Sequence, residues 1–241
     1  MTLPTFGFVS VHGLPLADGI AAEAGWMASA AATGRAGAHL WRGEPGLVVP
    51  LSCTTLPGWP DAARSHSVRV RASGGGVVPQ GPGVLNLSLV WRAEGATPSG
   101  TDAIYRALCG ELAGALARLG IAAMSQSVDG SFCDGRFNLA VRGRKLAGTA
   151  QSWRRLAGQP VVLAHAVIVV DADPVALTET ANAFERDLNS GRHYRAEALT
   201  SVAQAWNHAH RRAPPADLEA QVINVLAEQF ARVLAPHAIQ V

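Results

Sequence analysis

Lysine is almost absent from this sequence. Of 20 Lys and Arg residues over 241 positions, Lys145 is the single lysine. Acidic residues number 18, and the formal charge of +2 leaves no electrostatic footprint of the kind a nucleic acid needs. Cysteine is scarce too. Cys53, Cys109 and Cys133 are odd in number, widely spaced and without a CxxC pair. That argues against a disulfide framework or a zinc site and fits a reducing compartment. No apolar run reaches the roughly 20 residues that span a bilayer as a helix. The first basic residue is Arg35, so the N-terminus lacks the basic start of a secretory signal. The expectation is a cytoplasmic protein whose partners include neither membrane nor nucleic acid. What is present is apolar. Hydrophobic residues make up 49% and charged residues 16%, enough to build a substantial core rather than a disordered chain. The length predicts one domain over residues 1–241.

Periodicity sets out the elements. Ala17 to Ala32 is alanine-rich with apolar residues on one side, and Gly34 ends it as a helix. Ala38 to Val49 reads as two short strands around the turn Gly43-Glu44-Pro45-Gly46, and Leu51 to Asp61 as a loop. Ser67 to Ala72 and Leu85 to Trp91 alternate with the period of half-buried strands. Thr101 to Leu119 is the clearest helix, with Ile104, Leu108, Leu112 and Leu116 in register, Thr101 or Ser99 as cap, and Gly120 beyond its end. A β-meander follows: Phe137 to Val141, a turn at Arg142-Gly143, Lys145 to Trp153, a turn at Gly158-Gln159-Pro160, then Val161 to Val170. Asp171 to Pro174 opens a helix. The rest reads as helical, over Pro174 to Leu188, Arg195 to His208 and Ala216 to Leu234. The order predicts an α+β fold, a mainly antiparallel sheet covered by helices.

Two stretches invite chemistry. In Arg69-Val70-Arg71-Ala72-Ser73-Gly74-Gly75-Gly76, a glycine turn exposes backbone N–H groups beside a planar guanidinium. Both suit a phosphate or carboxylate; a surface hairpin turn is the plainer reading. In Arg136-Phe137-Asn138-Leu139 through Gly143-Arg144-Lys145-Leu146-Ala147-Gly148-Thr149-Ala150-Gln151, a hairpin carries the lone lysine and then small residues. An ammonium there can neutralise a carboxylate and a phosphate together, and Gly148 and Ala150 leave room for a ligand. An exposed hairpin with a solvated lysine is the alternative.

Taken together, RASGGGVV, GPGVLNLSLV, RFNLAVRGRKLAGTAQ and VLAHAVIVVDADP, over roughly Leu40 to Asp173, resemble the lipoate protein ligase A family within the biotin/lipoate ligase and octanoyltransferase superfamily. The segment from Phe184 to Val202 is similar as well. The resemblance implies a ligase-type catalytic domain without a separate C-terminal accessory domain. It implies that lipoyl or octanoyl groups are attached to a lysine of a carrier domain through an acyl-adenylate. ATP, Mg²⁺ held through phosphates, and lipoate or octanoate would be required. The partners implied are a lipoyl domain of the 2-oxoacid dehydrogenase E2 or H-protein type, and an accessory protein. Lys145 then corresponds to the lysine that contacts the acyl carboxylate and the adenylate phosphate. Arg71, Ser73, Gly74, Gly75 and Gly76 correspond to the loop around acyl chain and adenylate. Asn138 falls near a position that holds nucleotide or metal-bound phosphate, Gly148, Thr149 and Ala150 line the ligand, and His165 stands where the family often has a histidine. Departures occur at Pro79-Gln80-Gly81, where an aromatic-His-Asp triplet is common, and at Val49-Pro50-Leu51-Ser52, in place of a Gly-Arg-x-Gln motif. They keep two other readings open: a cysteine-dependent octanoyltransferase with Cys133 as nucleophile, and a non-catalytic binding member. Arg142, Arg144, Arg154 and Arg155 are candidates for a basic rim facing an acidic carrier.

Overall fold

The computed structural model describes residues 3–72, 74–93 and 101–231. Ten strands and six α-helices build two sheets among these residues. The larger sheet contains β1 (Ser10–Val11), β2 (Gly37–Trp41), β6 (Val84–Arg92), β7 (Met124–Gln126), β8 (Asn138–Val141), β9 (Arg144–Leu156) and β10 (Gln159–Val169), in the order β1-β2-β6-β10-β9-β8-β7. Every neighbouring pair is antiparallel except β1 and β2. The smaller sheet is β4 (Val68–Arg71), β3 (Gly46–Pro50) and β5 (Val78–Gln80), with β3 central. This is the α+β architecture expected.

The central strand β6 explains the layering. Leu85, Leu87, Leu89 and Trp91 share one face and enter the main core with α3 (Thr101–Ala117) and α6 (Leu218–Ala231), through Ile104, Leu108, Leu112, Val222 and Phe230. Each such side chain removed from water contributes roughly 1.5–3 kcal/mol. The other face of β6 is buried too, a sign that the sheet is covered on both sides. Its cover is α1 (Gly19–Thr33), whose Met27, Ala30 and Ala31 pack on Val90, Val161 and Leu163. The Asp18 carboxylate caps α1 by accepting from the Ala21 N–H at 3.0 Å, and Gly34 ends it in the left-handed conformation at φ 73°. A second core joins the small sheet to α2 (Trp59–Ser65) and α4 (Pro174–Asp187) through Leu47, Val49, Ala62, Ala181, Phe184 and Leu188.

Several expectations are corrected. The two strands within Ala38 to Val49 exist but never pair with each other, because β2 joins β6 while β3 leaves for the small sheet. Leu51 to Asp61 is a 3-10 turn (Leu51–Thr55) followed by the start of α2, not a loop. The β9–β10 turn is Ala157-Gly158, not Gly158-Gln159-Pro160. Its φ values of 47° and 77° match the primed turn that closes a two-residue hairpin, as do the 53° and 76° of Arg142-Gly143. Helix α5 begins at Val202 rather than Arg195, because the Ser201 hydroxyl caps it and the preceding stretch is irregular apart from a 3-10 turn at Ala196–Ala198. Strands β1 and β7 were not expected; each is too short for periodicity to register. Ser99, Leu234 and Ser73 lie outside the described residues.

Candidate active site

The α1-covered face of the large sheet and the small sheet enclose a cavity of about 640 Å³. Pleating decides which side chains line it. Gly148 and Ala150 of β9, His165 and Val167 of β10, and Asn86 of β6 present the same face, since Val167 lies between Asn86 and Gly148, and His165 between Ser88 and Ala150. Ile20, Ala24 and Met27 of α1 close the other side.

At one end stands Lys145. It is the second residue of β9, but its side chain turns inward and is only 6% exposed. Its ammonium donates to the carbonyls of Phe132 and of Cys133, the latter at 3.0 Å. A Cβ on Gly148 would lie 3.0 Å from the lysine Cε and Nζ, so the lysine stem runs across the strand where only glycine leaves space. Burial lowers the Lys145 pKa to about 8, against the pull of Cys133 and Asp134, while Arg71 reinforces the fall. Asn138 is buried alongside and donates to the Cys133 carbonyl at 2.9 Å.

Cys133 itself has φ 56°, a left-handed conformation uncommon for a residue with a side chain and frequent at functional positions. Its sulfur accepts from the Gly76 N–H at 3.1 Å. The glycine loop is moulded to it: a Cβ on Gly75 (φ 103°) would sit 2.3 Å from the sulfur, and one on Gly76 3.1 Å from the Cys133 nitrogen. The loop is held from both sides. Arg71 donates to the carbonyls of Gly76 (2.6 Å), Gly74 (3.0 Å) and Val48 (3.0 Å). Its pKa is lowered by burial, which outweighs an upward pull from Cys133. On the other side is Tyr194, whose hydroxyl donates to Glu185 at 2.6 Å, accepts from the Val77 N–H, and would meet a Gly76 Cβ at 3.0 Å. Asn182 fixes Tyr194 by bonding both its N–H (2.8 Å) and its carbonyl (2.9 Å).

Further along the cavity Glu23, His165 and Ser88 form a buried network. Glu23 Oε1 lies 2.6 Å from His165 Nδ1 and accepts from the Ser88 hydroxyl at 2.7 Å, while Trp41 Nε1 donates to Ser88 at 2.9 Å. Burial alone would raise the Glu23 pKa. The charge and hydrogen bond of His165, with help from Ser88 and Arg154, outweigh it and hold the carboxyl below its ordinary value.

A family model described as the lipoyl protein ligase A/B catalytic domain matches residues 60–230. The chain belongs to this family. An uncharacterised protein of Cupriavidus necator is 40% identical over 92% of this chain and 93% of its own. The octanoyl-[GcvH]:protein N-octanoyltransferase of Kyrpidia tusciae is 41% identical over 56% of this chain, a match that spans about half of that protein's length (48%). Among solved structures, a bi-partite lipoate protein ligase of Thermoplasma acidophilum aligns with TM-score 0.65 and 16% identity over 95% of this chain and 84% of its own. A lipoate-protein ligase A bound with ATP aligns at 0.56 and 14% identity, over 93% and 96%. At such identities the structures speak for the fold, which they share with this chain.

Within that fold Lys145, Cys133, Asn138, Gly148 and the Gly74–Gly76 loop converge on one end of the cavity, and Ala150 and His165 lie farther along it. Arg71 is at the site but differs from the expected anion fork, because its N–H groups bind backbone carbonyls of the loop and of Val48 on β3. Thr149 borders the cavity, but its side chain lies on the opposite side of the pleat, where its hydroxyl donates to the Phe137 carbonyl, the group that Cys109 of α3 also approaches. The four arginines form no continuous rim. Arg142 meets His208, Arg155 bonds the Gly158 carbonyl, and Arg154 faces the cavity. Sequence reasoning missed Glu23, Ser88, Asn182 and Tyr194. Glu23 did carry a signal, as the only charged residue between Asp18 and Arg35. Among the described residues no helix is long and apolar enough to cross a membrane, and no three His, Cys, Asp or Glu cluster as a metal site.

Proposed function

We propose that the protein transfers a lipoyl or octanoyl-type acyl group to a lysine of a carrier domain through a thioester on Cys133. The observation that carries this reading is the nest built around its sulfur: a left-handed backbone at Cys133, a hydrogen bond from Gly76, and the buried Lys145 and half-buried Arg71 set around the same loop. With a pKa of about 8, Lys145 is neutral in part near physiological pH and is able to take the thiol proton. The thiolate attacks the acyl carbonyl carbon of the donor; a carbon–sulfur bond forms, the bond to the donor's sulfur or nitrogen breaks, and that leaving atom gains the proton. The neutral amine of the acceptor lysine then attacks the thioester, forming the amide. Sulfur leaves as thiolate, and the amine's proton passes to Lys145 or solvent. The apolar cavity wall takes the hydrocarbon chain. The identity of the Kyrpidia tusciae relative, an octanoyl-[GcvH]:protein N-octanoyltransferase, supports a GcvH-like or E2-like lipoyl domain as donor and acceptor.

An acyl-adenylate route with ATP and Mg²⁺, as the resemblance implies, would use the same Lys145. It is less favoured because the guanidinium expected at the phosphate is committed to backbone carbonyls. One experiment separates the two. The protein is incubated with an octanoyl-carrier thioester, or with octanoate, ATP and Mg²⁺, and followed by intact mass and pyrophosphate release. An octanoyl adduct mapped to Cys133 from the thioester is expected. Pyrophosphate release without any cysteine adduct would assign the adenylate route instead.

A further inference from the structure

The cavity is lined mostly by hydrocarbon, yet a carboxylate and an imidazole stand in its wall. Glu23 is only 8% exposed. Its Oε1 has two direct partners, Ser88 and His165, and Trp41 joins the network by donating to Ser88. Among the described residues its Oε2 has no hydrogen-bond partner, and neither does His165 Nε2. Neither atom is sealed inside the protein: the one buried side-chain polar atom without a partner among the described residues is Trp206 Nε1. Since both residues line the cavity, these two free atoms open on it.

Their position along the cavity follows from register. Gly148 supports the Lys145 ammonium, and Ala150, two residues on along β9, lies opposite His165. Two residues of strand span about 7 Å. A chain whose carbonyl is held beside Cys133 and Lys145 therefore brings its distal half to Glu23 and His165. A plain alkyl chain arriving there removes water from an ionised carboxylate and an imidazole nitrogen and returns no hydrogen bond, which is unfavourable. Glu23 Oε2 accepts only, so the missing partner is a donor. A hydroxyl or thiol hydrogen satisfies it, and the heteroatom remains free to meet His165 Nε2.

We infer that Glu23 and His165 form a chain-end specificity site that prefers acyl groups carrying an O–H or S–H donor in their distal half over unsubstituted chains of the same length. This rests on the acyl-transfer reading for the direction of the chain, but its test does not depend on Cys133 chemistry. Binding of free acids to the full chain is measured by calorimetry: octanoate against 6-hydroxyoctanoate for the hydroxyl arm, and lipoate against dihydrolipoate for the thiol arm. Wild type is expected to bind at least one donor-bearing acid about tenfold tighter than its partner, the size of one recovered buried hydrogen bond. In Glu23→Gln that ratio should shrink to near unity, and in His165→Leu it should shrink in part, because Glu23 Oε2 still accepts. Far-ultraviolet circular dichroism checks that each variant folds. Should His165→Leu not fold, Glu23→Gln, nearly equal in shape, decides alone. Equal affinities within both pairs in wild type, a preference that survives Glu23→Gln, or no binding of any acid would each overturn the inference. Failure of the thioester reading is seen separately, as the absence of an acyl adduct on Cys133 after incubation with an octanoyl-carrier thioester.

Discussion

The two ends of the cavity are built in different ways. The sulfur end is assembled from loops: the Gly74–Gly76 turn, the Phe132–Cys133 segment and the stretch before α5 that carries Tyr194. It contains left-handed backbone at Cys133 and Gly75, and its Gly76–Cys133 hydrogen bond joins residues 57 positions apart. The far end is made of regular elements. Glu23 comes from α1, Ser88 from β6 and His165 from β10, all with ordinary backbone. Loops permit the fine placement of a reacting atom, whereas a helix on a sheet gives a fixed wall. The contrast predicts that changes at the sulfur end alter rate and changes at the far end alter which chain is accepted.

The strongest way to break this contrast is Cys133→Ser. Loss of the nucleophile should lower acyl transfer by about a thousandfold or more. The melting temperature should stay near that of wild type, since the oxygen fits where sulfur does. Transfer rates with an octanoyl-carrier donor measure the first, calorimetric melting the second. Transfer at the wild-type rate would remove Cys133 from the chemistry.

Lys145→Met comes next and is informative because rate and stability should move apart. Transfer should fall by roughly 10²–10³-fold through loss of the proton acceptor. Stability should not fall. A lysine pKa drawn from 10.5 to about 8 corresponds to roughly 3 kcal/mol of disfavoured charge at neutral pH, reduced by the two carbonyl contacts the ammonium keeps. The sign follows from linkage. Between pH 8 and 10.5 the unfolded chain holds a proton that the folded chain has released, so wild type gains stability as pH rises through that window. The methionine variant lacks this gain. Its advantage in urea melts should therefore be largest at pH 7 and shrink by pH 10. An advantage that widens with pH would contradict the buried-cation account.

A paired substitution sharpens the role of the loop. Gly75→Ala forces a Cβ into the space of the Cys133 sulfur at a φ of 103°. About 1–3 kcal/mol of stability should be lost through strain, with transfer reduced some tenfold or more as the sulfur is displaced. Gly158→Ala has φ 77° but nothing within 4 Å of the new Cβ. It should cost about 1–2 kcal/mol from the left-handed backbone alone and leave the rate per folded molecule unchanged. Equal activity in the two variants would mean that the fit between loop and sulfur is irrelevant.

The same division governs what the sequence discloses. Helix α3, the hairpin of β8 and β9 and strand β10 follow from apolar period, turn residues and caps, all local properties. Lys145 and the glycine loop are visible because their composition is unusual. Arg71 was legible as a residue but not as a role. Whether a guanidinium faces a ligand or backbone carbonyls of its own loop and of β3 depends on where the loop folds back, and no spacing encodes that. The parting of β2 from β3 was hidden for the same reason: a turn between two strands reads as a hairpin until partners elsewhere are known. Glu23 belongs to an alanine-rich helix, and only its encounter with His165, 142 residues away, gives it meaning.

Tyr194→Phe carries the smallest expected effect and tests how far the loop architecture depends on support from behind. The variant keeps the ring against Phe132, whose centroid lies 5.1 Å away, and removes only the hydroxyl that joins Glu185 to the loop. Glu185 retains Ser190 as a donor, so the destabilisation should be about 1–2 kcal/mol rather than the cost of an unpaired buried charge. Val77 loses its acceptor, and the segment beginning at Gly76 gains freedom where it donates to the sulfur. Transfer should fall a few-fold, and the time profile of Cys133 alkylation by iodoacetamide should change, because a looser N–H holds the sulfur less firmly. A general loss of stability would leave that profile in place in the folded fraction. A loop braced through Tyr194 displaces it, and a comparison with Gly158→Ala at matched stability separates the two.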